Sequence, residues 1–266
     1  MAEKTKLIDV SKCTGCRGCQ LACKQWNSLP AKQTVNRGSY QNPPDLQPNT
    51  WMLIRFQEVT DDKGGMKWLF RKDGCMHCTD AACVKVCPSG ALHYTDLGTV
   101  AVDNARCIGC KECVTACPFN IPRYDAATDK IYKCDLCLSR IQSDLLPGCV
   151  KACPTGALRF GDREDMLKLA YARVKELGGD ASVYGDKFVK GTHVLYVLQE
   201  KPEVYEKLPQ NPRVPLSVIV WKDLLKPLSL IAAGGVLAGS FLHYITHGPK
   251  TPDDDVQGGD AGKGGK

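Results

Sequence analysis

The sequence predicts an α+β protein built from small repeated units and joined to one C-terminal transmembrane helix. Three observations lead there. All sixteen cysteines of the 266 residues fall into four complete quartets, with none left over. Aromatic residues make up only 7% of the chain, too few for a large core that rests on apolar packing alone. From Pro227 to Ile245 runs a stretch of 19 residues without a formal charge. As a helix it is about 28 Å long, against a hydrocarbon core of about 30 Å.

The quartets are Cys13, Cys16, Cys19, Cys23; Cys75, Cys78, Cys83, Cys87; Cys107, Cys110, Cys113, Cys117; and Cys134, Cys137, Cys149, Cys153. The first and third have CxxCxxCxxxC spacing, the second stretches its middle gap to four residues and the fourth to eleven, and three end in Cys-Pro at Pro88, Pro118 and Pro154. A 4Fe–4S core needs four thiolates, and a CxxCxxC loop wraps three of them round one cubane with backbone amides turned toward the sulfurs. In two-cluster bacterial ferredoxins the fourth Cys ligates the other cluster, and the proline after it turns the chain away into a short helix. Structural zinc does not fit, because three cysteines at successive steps of three would crowd one tetrahedral ion. A disulfide framework does not fit either. Residues 1–25 contain no apolar signal-peptide core, and cysteines this close on a tight loop are poorly placed to pair. The expectation is four 4Fe–4S clusters, with folding coupled to their insertion.

The formal charge of +6 counts every cysteine as neutral. Four oxidised clusters with their thiolates, at about −2 each, bring the holoprotein to about −2. The basic residues beside the cysteines, Lys12, Arg17, Lys24, Lys72, Lys85, Arg106, Lys111, Lys133 and Lys151, are then counter-charge. Nucleic acid is not an expected partner, since no aromatic-interleaved basic stripe is present.

Four quartets repeat half of a two-cluster module, so four halves make two modules, and their spacing leaves the pairing open. Between the first and second quartets, Tyr40–Thr50 with Pro43, Pro44 and Pro48 reads as an extended lead-in. Trp51–Val59 and Met66–Lys72 then read as two strands around the turn Asp61-Asp62-Lys63-Gly64-Gly65. After the last quartet, Asp162 is placed to cap a helix from Arg163 to Leu177, with Met166, Leu169, Ala170, Val174 and Leu177 on one face and Gly178-Gly179 as the stop. Gly191–Leu198 reads as a strand, and Glu200–Pro215 as a Pro- and charge-rich connector.

The apolar stretch carries Ala232, Gly235 and Gly239 on one face, which lets another helix approach, while Trp221 and Tyr244 suit the two interfaces. The basic residues on its two sides do not decide its orientation. The tail after the helix, Gly- and Asp-rich, reads as disordered. His243 and His247 stand at the far end of the span, where a haem or quinone could come near, although most such histidines form only ordinary hydrogen bonds at the interface. His77 is expected to hydrogen-bond beside its cluster, and His93 and His193 carry no signal. The five histidines are scattered, so no acid–base or nucleophilic constellation forms, and no catalytic site is expected on this chain.

With these residues in order, the chain resembles the iron–sulfur (beta) subunit of membrane-bound respiratory formate dehydrogenase over nearly its whole length. The runs that carry the resemblance are Lys6-Leu-Ile-Asp-Val-Ser, Arg71-Lys-Asp-Gly-Cys-Met-His-Cys, Cys117-Pro-Phe-Asn-Ile-Pro-Arg, Gly191-Thr-His-Val-Leu-Tyr-Val-Leu, and the His243-Tyr244 ending with Gly248-Pro249. The quartets alone fit equally the four-cluster subunit of a membrane hydrogenase or of another molybdopterin oxidoreductase. A soluble ferredoxin-like carrier is a third reading, against which the span argues.

The resemblance implies two ferredoxin-like modules in nested order, the first quartet joined to the fourth and the second to the third. One cluster then takes Cys13, Cys16, Cys19 and Cys153, and a second takes Cys23, Cys134, Cys137 and Cys149. A third takes Cys75, Cys78, Cys83 and Cys117, and a fourth takes Cys87, Cys107, Cys110 and Cys113. The four-cluster domain is expected at 1–160: an inner module at 71–125, an outer module from 1–36 with 126–160, and the hairpin insertion at 37–70. An α/β extension at 161–215, a transmembrane region at 216–247 and the tail at 248–266 follow. The implied partners are a molybdenum- or tungsten-pterin catalytic subunit and a membrane cytochrome b. The cluster domain is implied to lie on the periplasmic side of the cytoplasmic membrane, exported by the catalytic partner's twin-arginine signal.

Overall fold

In the computed structural model, residues 3–60 and 64–248 are described. The hairpin tip at 61–63 and the tail expected to be disordered from 249 onward lie outside them. The chain divides into one unit ending at Val218 and another beginning at Ile219. In chain order, β1 (Lys4–Asp9) leads through the first cysteine loop into α1 (Gly18–Trp26), and β2 (Met52–Thr60) with β3 (Met66–Gly74) forms the hairpin. The second and third quartets carry α2 (Ala82–Lys85), β4 (Leu92–Tyr94), β5 (Val100–Val102) and α3 (Glu112–Ala116). Next come the hairpin of β6 (Arg123–Asp125) and β7 (Lys130–Tyr132), then α4 (Leu138–Gln142) and α5 (Gly148–Lys151) around the fourth quartet. β8 (Leu158–Asp162), α6 (Arg163–Leu177), β9 (Ser182–Tyr184) and β10 (Val194–Leu198) follow. The chain runs on through α7 (Leu216–Ile219), a π-helical stretch (Val220–Leu225) and α8 (Lys226–His247).

Four of these strands form one sheet in the order β8-β1-β10-β9. β1 lies parallel to β10 and antiparallel to β8. Every residue of β10 is buried, as a continuous Val-Leu-Tyr-Val-Leu run covered on both faces requires. Because side chains alternate along a strand, Leu7, Leu195 and Val197 face Met166 and Ala170 of α6. Ile8, Val194, Tyr196 and Leu198 pack on the opposite side, into the core that contains Cys19, Cys23 and Cys149. The sheet is therefore a wall between α6 and the cysteine-bearing modules.

Several expectations need adjusting. The strand expected from Gly191 begins at Val194, because Gly191 takes φ +90° and the Thr192 hydroxyl donates to the carbonyls of Gly185 and Val194. Asp162 stands at the N-cap of α6 but does not cap it: Lys4, opposite it across the β1–β8 pair, takes the carboxylate at 2.7 Å. Leu169 is 40% exposed, so the buried stripe of α6 is narrower than its apolar sequence. The Cys-Pro steps start turns, and the short helices come before them, with α2, α3 and α5 each holding the third Cys of a quartet. The proline fixes φ just where the chain leaves the helix.

The apolar helix is longer than its uncharged stretch and has a π-helical turn before Pro227. Proline has no N–H for the carbonyl four residues back, and its ring crowds that carbonyl. The Lys226 amide accordingly bonds to Trp221, five residues back, which widens the turn. Just ahead of this, Val218 packs with Ala82 of α2 and Ala116 of α3.

Candidate metal centres

Two of the cysteine loops repeat one backbone path. Gly15 and Gly109 sit at φ +68° and +67°, and Arg17 and Lys111, two residues on, sit at +61° and +63°. Left-handed residues interleaved with the cysteines turn successive N–H groups to the inside of the loop, a concavity suited to anions. The first loop rests on the β2–β3 hairpin, with Gly15 against the Phe70 and Phe56 rings and the Arg17 guanidinium 4.4 Å from the Phe56 centroid. Amides also reach sulfur elsewhere: His77 N to Cys75 at 3.5 Å, Leu92 N to Cys87 at 3.5 Å and Leu136 N to Cys134 at 3.4 Å.

The fold brings the cysteines together across the quartets. Cys13, Cys16, Cys19 and Cys153 line one cavity, and Cys87, Cys107, Cys110 and Cys113 line another. Cys23 lies within electrostatic reach of Cys134, Cys137 and Cys149. Cys78 and Cys83 lie within reach of Cys75 and Cys117. Among the described residues no three His, Cys, Asp or Glu side chains converge as a single ion demands. The thiols surround a space instead of meeting at a point, and with inward amides that is a cradle a 4Fe–4S cluster fits.

The four groups also neighbour one another in sequence. Cys19 acts on Cys149, Cys134 on Cys75, and Cys83 on Cys113. Cys16 in the first group and Cys110 in the last are exposed, whereas all eight thiols of the two middle groups are buried or half-buried.

Family models for a 4Fe-4S dicluster domain match residues 12–91 and 66–163, and one described as formate dehydrogenase N, transmembrane, matches 214–256. The formate dehydrogenase iron-sulfur subunit of Haemophilus influenzae is 45% identical over 95% of this chain and 83% of its own length. The nitrate-inducible formate dehydrogenase iron-sulfur subunit of Escherichia coli is 46% identical over 96% of this chain and 90% of its own. This chain belongs to the formate dehydrogenase iron–sulfur subunits. It binds 4Fe–4S clusters and transfers electrons within a formate dehydrogenase complex, in association with a catalytic and a membrane subunit, and has no catalytic site of its own. Its apolar helix, Leu216–His247, which contains an 18-residue window of mean hydropathy 1.6, is a single-pass membrane segment. A further relative, formate dehydrogenase 2 subunit beta (cytochrome c-553) of Nitratidesulfovibrio vulgaris, is 42% identical over 76% of this chain and 96% of its own length.

In the iron–sulfur subunit, burial dominates thiol chemistry. It pushes Cys19, Cys113 and Cys137 up to about 12 and Cys117 up to about 11. Cys87 goes the other way. Burial raises it, but the Leu92 amide, the Ser89 hydroxyl 3.7 Å away and the Ala91 amide outweigh that and hold it below the ordinary thiol value. Thr155 stands equally, at 3.7 Å, beside Cys153, so the residue after Cys-Pro supplies a hydroxyl to the sulfur at both places.

Three lysines are buried among these thiols: Lys6 at 0%, Lys72 at 3% and Lys133 at 3% exposure. Lys72 lies beside Cys149, Cys134, Cys19 and Cys23, while Lys133 donates to the carbonyls of Val100 at 2.6 Å and Cys134 at 3.0 Å. Of the histidines, His77 meets its expectation: its Nδ1 accepts from the Val100 amide at 3.2 Å. Burial, then Lys133 and Lys6, hold its ring well below the ordinary imidazole value. His193, which carried no sequence signal, is fully buried with Nδ1 3.0 Å from the His77 carbonyl. His243 and His247 are exposed and stacked at 4.4 Å.

Proposed function

We propose that the chain relays electrons one at a time from a molybdenum- or tungsten-pterin catalytic subunit, where formate is oxidised, to a membrane cytochrome b and quinone. Four 4Fe–4S clusters, once bound, supply the one-electron redox chemistry. The proposed ligand sets are Cys13, Cys16, Cys19 with Cys153; Cys23 with Cys134, Cys137 and Cys149; Cys75, Cys78, Cys83 with Cys117; and Cys87 with Cys107, Cys110 and Cys113. The observation that carries the reading is the succession of thiol groups from exposed Cys16 to exposed Cys110. A relay needs its ends within reach of partners and its middle shielded from solvent. The protein's own residues shield the inner sites, aim amides at sulfur and place basic side chains alongside.

The two exposed ends of this succession, at Cys16 and Cys110, are the proposed points of exchange with the catalytic and the membrane partner. The proposed ligand sets go with an inner module at 71–125 and an outer module from 1–36 with 126–160, and the family resemblance is what supports a periplasmic cluster domain. In the purified complex, formate should reduce the clusters and a quinone analogue should reoxidise them. If hydrogen reduces them and formate does not, the relay stands and the formate assignment falls.

A further inference from the structure

Lys6 stands apart from the other buried lysines. It lies on β1 with Phe160 and Val194 as its strand partners, and its parity puts it on the face of Ile8, toward the cysteine-bearing modules. Its side chain is 0% exposed, and among the described residues Nζ has no hydrogen-bond partner. Lys133, by contrast, donates to two carbonyls. A desolvated ammonium without a partner is heavily penalised unless an anion lies beside it. The groups on which Lys6 acts are Cys134, His77 and Tyr196. The Tyr196 hydroxyl already donates to the Lys72 carbonyl at 2.7 Å, the Asp73 carboxylate near it is taken by Arg55 at 2.7 Å and Arg71 at 3.5 Å, and His77 Nδ1 already accepts from the Val100 amide at 3.2 Å. That leaves the side of Cys134 as the place for negative charge. Cys134 is also the thiol that acts with Cys75 across the junction of the two modules.

We propose that Lys6 is a potential-setting residue for the step between the modules: its buried ammonium stabilises the reduced form of the cluster held by Cys23, Cys134, Cys137 and Cys149. The inference rests on the ligand sets proposed above. Each cluster takes up one electron, supplied by dithionite in a titration, and the added negative charge is what Lys6 favours. A cation facing that cluster raises its potential relative to a neutral side chain.

The experiment is a dithionite titration of the native complex by electron paramagnetic resonance, comparing wild type, K6M and K6R. In K6M one cluster should need a lower potential, with its reduced-to-oxidised ratio at a fixed potential falling at least tenfold, about 59 mV for one electron. It should be the cluster whose line shape changes in Cys137→Ser. K6R, which keeps the charge, should titrate within threefold of wild type. The proposal is overturned if all four clusters of K6M titrate within threefold of wild type, or if K6R moves as far as K6M, since shape and not charge would then matter. Iron loss from K6M with full iron in K6R supports the proposal, and iron loss from both overturns it. A wild-type complex without about sixteen irons in this chain would sink the ligand sets themselves, whatever the lysine does.

Discussion

Gly15, Gly109 and Gly156 share one left-handed backbone conformation, φ +68°, +67° and +64°, but differ in what a methyl group would meet. At Gly156 nothing lies within 4 Å, so Gly156→Ala should carry only the left-handed penalty, about 1 kcal/mol. At Gly15 the methyl would lie 3.0 Å from the Phe70 ring and 3.1 Å from Phe56, side chains that can shift by a few tenths of an ångström. At Gly109 it would fall on Asp129 Oδ1 and lie 2.7 Å from the Asp129 carbonyl oxygen. Asp129 cannot step aside freely, since its carboxylate accepts from Tyr124 at 2.7 Å and its backbone is itself at φ +52° in the β6–β7 turn. Overpacking against such a neighbour adds about 2 kcal/mol to the backbone term, roughly 3 kcal/mol in all. For a domain of this size that is about 6–12 °C of melting temperature, against about 2–4 °C for Gly156→Ala, with Gly15→Ala between them. The assay is anaerobic thermal bleaching of the cluster absorption at one fixed scan rate, because unfolding with cluster loss is irreversible. Iron content should fall from about sixteen toward about twelve in Gly109→Ala only. If Gly109→Ala melts with Gly156→Ala and keeps its iron, the loop geometry around Cys110 is wrong.

Cys117→Ser should disturb the cluster assigned to Cys75, Cys78 and Cys83 and spare the signal of the Cys107–Cys113 loop; the reverse spectroscopic result would reject the crossed ligand. Asp45 joins Arg55, Arg123 and Lys207, and although burial opposes it, the Leu46 amide and these cations hold its carboxyl at about 2. A depressed carboxyl contributes its stability above its unfolded value of 3.8 and loses it only as pH falls through about 2. The melting-temperature gap between wild type and D45N should therefore be the same at about pH 8 and about pH 5, and a gap that closes on the way down would refute the hub. Truncation after Lys222 should release a soluble domain with about sixteen irons, because no cysteine lies beyond Cys153. Continued membrane attachment of the truncated chain within the complex would show that another subunit is the main anchor.

Local signals were the legible ones. The β2–β3 hairpin and α6 emerge within two residues of their expected ends, because β-branched runs, a Gly-Gly stop and acidic residues in the first helical turn act over a few positions. What sequence reasoning missed is non-local. β1 is too short to announce itself and carries Lys6 at a buried position, which reads as a surface residue until the cysteine groups behind it are seen. Its parallel pairing with β10 joins residues nearly two hundred positions apart, and no local pattern encodes that. His193 is buried only because Gly185 and Gly191 bend the chain so that its amide meets the His77 carbonyl. The quartets themselves were plain from spacing. Which quartet joins which was not, since spacing leaves it open and only the family resemblance implied a nested grouping.

The excess of basic residues acquires a meaning from where the fold puts it. A formal +6 on a surface would mark a partner of opposite sign, but Lys6, Lys72 and Lys133 are inside, among cysteines. With thiols pushed up to about 12 by burial, as at Cys19 and Cys137, these cysteines by themselves offer the lysines no thiolate charge at neutral pH. A buried ammonium without a hydrogen-bond partner among the described residues, as at Lys6, and buried thiols without metal are each unfavourable. A thiolate-ligated cluster of about −2 relieves both at once, because binding releases the thiol protons and places negative charge beside the lysines. Charge compensation of this kind makes the cluster a part of the core. The same lysines that let the modules close round their cargo are then in place to set how readily it accepts an electron.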